Sequence, residues 1–153
     1  MRSEESRADL RPAAGRGSGA TERPRLLLAE DDDYMRDLVA QTLNRAGFEV
    51  IEACSAAELR QKLETLVLRS TDGRPVDLIV SDVRMPWGSG LTVLAGLRRS
   101  DWATPLIVIT AFGDEATHAE ARRLGAVAVF DKPFDLYRLR ETALRCVGAS
   151  AMA

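Results

Sequence analysis

Apolar residues fall along this chain in two alternating patterns. Leu26-Leu27-Leu28-Ala29, Leu78-Ile79-Val80, Leu106-Ile107-Val108-Ile109 and Val127-Ala128-Val129-Phe130 are unbroken runs of strand length, too short for buried helices. Between them the period changes. Met35, Leu38, Val39, Thr42, Leu43 and Ala46 lie at i, i+3, i+4, i+7, i+8 and i+11, the inner stripe of an amphipathic helix that Gly47 closes. Glu49 to Ala53 reads as a further short strand, and Ser55 caps a helix running towards Leu68 with Leu59, Leu63 and Leu66 inward. Leu91 to Arg99 is helical, with Thr104-Pro105 as its exit. Asp114 opens an alanine-rich helix that Gly125 ends, and Phe134 to Val147 forms the last. The polar stretch Arg69 to Pro75, with its Asp72-Gly73 turn, is a loop. Five β-α units on short connectors predict an α/β domain whose parallel sheet is covered on both faces.

Length and composition narrow the function classes. A chain of 153 residues holds one domain with a full core. Residues 1–24 offer Leu10 as their only sizeable aliphatic and cannot offset the entropy of ordering, so a disordered tail is expected there. The ordered domain is then expected over 25–147, with 148–153 expected to be a C-terminal tail that leaves no room for an output domain. A formal charge of −2 argues against direct nucleic-acid binding. No apolar run is long enough for a membrane span, and Met1 to Leu10 is too polar for a signal peptide, so a cytoplasmic location is expected. Cys54 and Cys146 have no metal-like spacing and read as reduced, partly buried thiols. Of 21 basic residues only Lys62 and Lys132 are lysines. In so arginine-rich a chain, Lys132 is expected to do something that a compact point charge does better than a guanidinium.

The candidate chemistry lies at the ends of the apolar runs. The first ends in Glu30-Asp31-Asp32-Asp33, the second in Ser81-Asp82, the third in Thr110, and the fourth leads to Lys132-Pro133. Parallel strands bring these tips to one edge, where open α/β sheets bind their ligands. Carboxylates of Glu30, Asp31 and Asp82 held within several ångströms repel by on the order of 1–4 kcal/mol per pair, a penalty that a divalent cation removes. An all-oxygen set that keeps several waters suits Mg²⁺. Asp32 and Asp33 read as helix caps rather than ligands. His118, the single histidine, sits in a polar helix and reads as a surface residue.

Taken together, Glu30-Asp31, Asp82-Val83-Arg84-Met85-Pro86, Ile109-Thr110-Ala111 and Lys132-Pro133-Phe134 resemble the receiver domains of two-component response regulators. The resemblance covers about Arg25 to Val147. It implies a flavodoxin-like, doubly wound five-stranded parallel sheet of order 2-1-3-4-5. It also implies that Asp82 accepts a phosphoryl group from a histidine kinase or phosphotransfer protein, assisted by Thr110, Ala111 and Lys132. Mg²⁺ would be bound directly by Asp31, Asp82 and the backbone carbonyl of Arg84, and by Glu30 through water. A cis Lys132-Pro133 bond belongs to the same implication. The protein would then be a stand-alone regulator acting on a downstream protein target, and no enzyme beyond its own phosphorylation and dephosphorylation.

Two other readings compete. A phosphate-independent pseudo-receiver scaffold is expected to lack the Asp, Thr or Lys, and all are present. A Mg²⁺-dependent phosphatase of the haloacid-dehalogenase kind expects a second Asp two residues after the nucleophile, where this chain has Arg84. The sequence also departs from the receiver pattern: Val129 stands where an aromatic is usual in the fifth strand, with Phe130 expected to face the other way. Trp87 is placed to cover the pocket mouth. Val129 predicts a weak conformational response to phosphorylation.

Overall fold

The computed structural model describes residues 23–68, 76–85, 88–99, 104–111 and 114–152. The tail up to residue 22, the loop Arg69 to Pro75, Trp87 and Phe112 lie outside the described residues. Each apolar run forms a strand: β1 (Arg25–Ala29), β2 (Glu49–Ala53), β3 (Leu78–Asp82), β6 (Leu106–Thr110) and β7 (Ala128–Asp131). A short antiparallel pair, β4 (Arg84–Met85) and β5 (Gly88–Ser89), follows β3 and carries no apolar pattern by which the sequence could announce it. The five long strands are all parallel, in the order β2-β1-β3-β6-β7. This is the doubly wound order 2-1-3-4-5 expected from the resemblance.

Strand alternation sorts the core into two layers. Leu27, Ala29, Ile79, Leu106 and Val108 face one side, where Leu59 and Leu63 of α2 (Ala56–Leu63), Leu94 of α3 (Gly90–Arg98) and Ala121 of α4 (Glu115–Arg123) cover them. Leu26, Leu28, Leu78, Val80, Ile107 and Ile109 face the other, under Val39 and Leu43 of α1 (Asp33–Arg45) and Leu139 and Ala143 of α5 (Leu136–Met152). Val129 packs against the first layer and Phe130 against the second, as alternation requires. β1, β3 and β6 are buried on both faces, which is why their sequences show no polar alternation.

Helix starts obey their local chemistry. Asp32, Ser55 and Asp114 are N-caps whose side chains accept from the backbone N–H of Met35, Glu58 and Thr117. Gly47 and Gly125 follow α1 and α4 at φ 110° and 82°, conformations that favour glycine.

Several details differ from the pattern reading. The helix expected to run to Leu68 widens after Leu63 into a π-helical turn, Glu64–Leu68. Thr65 Oγ1 donates to the Gln61 carbonyl at 3.0 Å and so competes with the helical ladder. The last helix runs on to Met152, past the boundary set at Val147, because Ala-rich sequence tolerates the single Gly148. Arg23 and Pro24, assigned to the tail, are engaged: the Pro24 carbonyl accepts from Glu49 N–H at 2.8 Å, and Arg23 donates to the Phe48 carbonyl. Cys54 is exposed rather than partly buried, since it lies just past the end of β2. Among the described residues, no helix is long and apolar enough to cross a membrane.

Candidate functional site

Sheet register builds the site. Ala29 is paired with Ser81, Asp82 with Ile109, and Thr110 with Asp131. One step beyond β1, at the ends of β3 and β6, and just past β7, the chain therefore presents Glu30, Asp82, Thr110 and Lys132 side by side. Carboxylate oxygens of Glu30, Asp31 and Asp82 lie within 4.8 Å of one another. Lys132 Nζ is 2.9 Å from Asp82 Oδ2 and 3.0 Å from Glu30 Oε1, and the Lys132-Pro133 bond is cis. The Lys132 N–H also donates to the Thr110 carbonyl at 2.8 Å, so the lysine is anchored to β6 by its backbone and to β1 and β3 by its side chain.

Burial divides these groups by task. Glu30, Asp82 and Thr110 are 1%, 4% and 0% exposed, whereas Asp31 and Ala111 are open to solvent. Asp82 is aimed by its neighbours: Arg84 N–H donates to Asp82 Oδ1 at 3.2 Å, and Ser81 Oγ donates to the Asp82 carbonyl at 2.9 Å. Gly90 is required behind it, because a Cβ there would lie 2.4 Å from the Asp82 carbonyl oxygen and 2.7 Å from Ser81 Oγ.

Burial pushes the Glu30 carboxyl up to about 7, against the downward pull of Asp32 N–H and Lys132 and with the upward push of the Asp82 charge. Burial lowers the Lys132 ammonium's affinity for its proton, but its bonds to Asp82 and Glu30 prevail and hold it above the ordinary lysine value. Three carboxyl groups thus face one ammonium in a corner with all-oxygen donors and an open side at Asp31. That donor set fits Mg²⁺, which keeps part of its water shell.

A model of the response regulator receiver domain matches residues 26–144. The chain belongs to that family. PilR of Pseudomonas aeruginosa is 35% identical to this receiver over 126 residues, 80% of the chain but 26% of PilR. Sporulation initiation phosphotransferase F of Bacillus subtilis is 28% identical over 117 residues, 76% of this chain and 88% of that protein. The structure of chemotaxis protein CheY4 of Vibrio cholerae aligns with a TM-score of 0.69 at 27% identity, covering 82% of this receiver and 99% of that chain. The receiver spans about a quarter of PilR and 44% of the Rhodobacter capsulatus protein PetR.

Two residues near the site were missed or misjudged from sequence. His118, read as a surface residue, is partly exposed and has a partner that the sequence did not show: its Nε2 lies 2.9 Å from Asp131 Oδ1, joining α4 to the end of β7 directly before Lys132. The pair is 13 positions apart and no local spacing reveals it. Arg36 binds three groups around the acidic corner. Its i,i+3 relation to Asp33 is legible in the sequence, but its other partners are set by the fold.

Proposed function

We propose that this receiver accepts a phosphoryl group on Asp82 from a histidine kinase or phosphotransfer protein, and signals as a stand-alone regulator through a downstream protein in the cytoplasm. The observation that carries the reading is Asp82 Oδ2 held 2.9 Å from Lys132 Nζ within the carboxylate cluster. An Asp82 oxygen attacks phosphorus in line with the donor's phosphorus–nitrogen bond. As the new oxygen–phosphorus bond forms, the old bond breaks and its electron pair stays on the imidazole nitrogen. The nucleophile and the phosphoryl group are both anionic, so neutralising charge is the main requirement. Lys132 supplies one positive charge beside the attacking oxygen. Asp31, Asp82 and the Arg84 carbonyl would hold Mg²⁺ directly, with Glu30 acting through water. When bound, the ion offsets the charge on the phosphoryl oxygens. The Thr110 hydroxyl and Ala111 N–H would hold the transferred group.

The Bacillus subtilis relative bears phosphotransferase in its name and is matched over 88% of its length, which supports phosphoryl transfer to a chain of about receiver size. Incubation with Mg²⁺ and acetyl phosphate should give an acid-stable, base-labile adduct, and Asp82→Asn should abolish it. An adduct that survives the substitution would locate the phosphoryl group elsewhere and overturn the assignment.

A further inference from the structure

Arg36, in the first turn of α1, spends each guanidinium nitrogen on a different part of the fold. Nη1 donates to the Glu30 carbonyl at 2.9 Å, Nη2 to Asp33 Oδ1 at 2.7 Å, and Nε to Glu52 Oε1 at 3.2 Å. Its side chain is only 18% exposed. The Glu30 peptide is gripped from its other end as well, since its N–H donates to the Ala53 carbonyl at 3.0 Å. The segment from Glu30 to Asp33 is thus suspended between the tip of β2 and the start of α1, and Arg36 is the side chain that ties both to it. We propose that Arg36 is a positioning residue for the divalent-cation corner, fixing this segment so that the Glu30 and Asp31 carboxylates meet Asp82.

The inference rests on the reading of the corner as a Mg²⁺ site. Charge and position make opposite demands, which makes the role measurable. A cation beside a cation site weakens binding through repulsion, so if charge alone mattered, neutralising Arg36 would tighten Mg²⁺ binding. If Arg36 acts by position, neutralising it loosens binding. A lysine keeps the charge, but its single ammonium cannot replace a planar fork that donates to acceptors in three directions.

The test is a Mg²⁺ titration of the full chain, followed by calorimetry or amide shifts, for wild type, Arg36→Gln, Arg36→Lys and Asp31→Ala. Thermal midpoints are measured without metal alongside. Both Arg36 variants should bind Mg²⁺ about tenfold more weakly or worse, the size of effect seen when the support of metal ligands is removed. A purely structural role would lower the midpoint and leave the affinity of the folded protein unchanged. Arg36→Gln binding as well as or better than wild type, or Arg36→Lys matching wild type, overturns the proposal. If Arg36→Gln does not fold, Arg36→Lys decides alone. A wild-type protein that binds no Mg²⁺ overturns this inference and the metal part of the proposed function together. Binding that is lost in Asp31→Ala but intact in both Arg36 variants overturns only the inference.

Discussion

At the residue scale the most consequential group is Glu30, a carboxyl buried beside another carboxylate. Its folded value of about 7 stands above the ordinary 4.5. Between these values the folded protein keeps the proton and the unfolded chain has released it, so unfolding releases protons and rising pH favours the unfolded state. Without metal, the Glu30 contribution to stability should therefore be greatest below about 4.5 and fall as pH rises to about 7. Glu30→Gln should flatten this part of the profile and raise stability at pH above 7. Thermal unfolding of both proteins in chelator across this range checks it, and parallel profiles would refute it.

At the element scale, four consecutive acidic residues separate into distinct roles, and Asp33, expected as a cap, is instead the first residue of α1 and pairs with Arg36 Nη2 at 2.7 Å. Asp32 is the N-cap of α1, accepting from Met35 N–H at 2.9 Å, while its own N–H donates to Glu30 Oε2 at 3.1 Å. Its carboxylate serves the helix and its backbone serves the site. Asp31 joins the cluster with Glu30 and Asp82. Asp32→Ala should lower stability by about 1 kcal/mol, as loss of a cap does, and leave Mg²⁺ affinity nearly intact. Asp31→Ala should abolish Mg²⁺ binding with little loss of stability. Urea denaturation and metal titration of the two variants give a crossed pattern, and equal Mg²⁺ losses would refute the division.

At the scale of the whole molecule, the question is how far a change at Asp82 travels. Val129 is partly buried against the first core layer, and Phe130 is committed to the second, where its ring packs against Phe134 at 5.8 Å and a tilt of 56°. Neither offers a ring free to swing between them, so the response to phosphorylation should be small. A ligand shifts an equilibrium only by its differential affinity for the two states. On adding beryllium fluoride with Mg²⁺, amide shifts should cluster at Asp31, Asp82, Thr110 and Lys132 and fade towards Tyr137. Large shifts along α5 would refute a weak response. Shifts continuing instead into α4 would mark the His118–Asp131 link as the route.

The sequence by itself determined the five long strands, the helix caps and which polar residues stand at the strand ends. These depend on short-range chemistry: unbroken apolar runs for strands buried on both faces, an Asp or Ser before each capped helix, and charged residues just past strand ends. The parallel order followed from the β-α alternation once the receiver pattern was recognised in four short segments. Only the tertiary structure decided which distant groups meet. Arg36 finds Glu52, and His118 finds Asp131, because the sheet register and the packing of α1 and α4 carry them together across 16 and 13 positions. The need for glycine at position 90 also belongs to the fold, because the Asp82 carbonyl occupies the space a Cβ would take. The burial that lifts Glu30 likewise belongs to the assembled edge, since solvent exclusion is a property of neighbours and not of the residue.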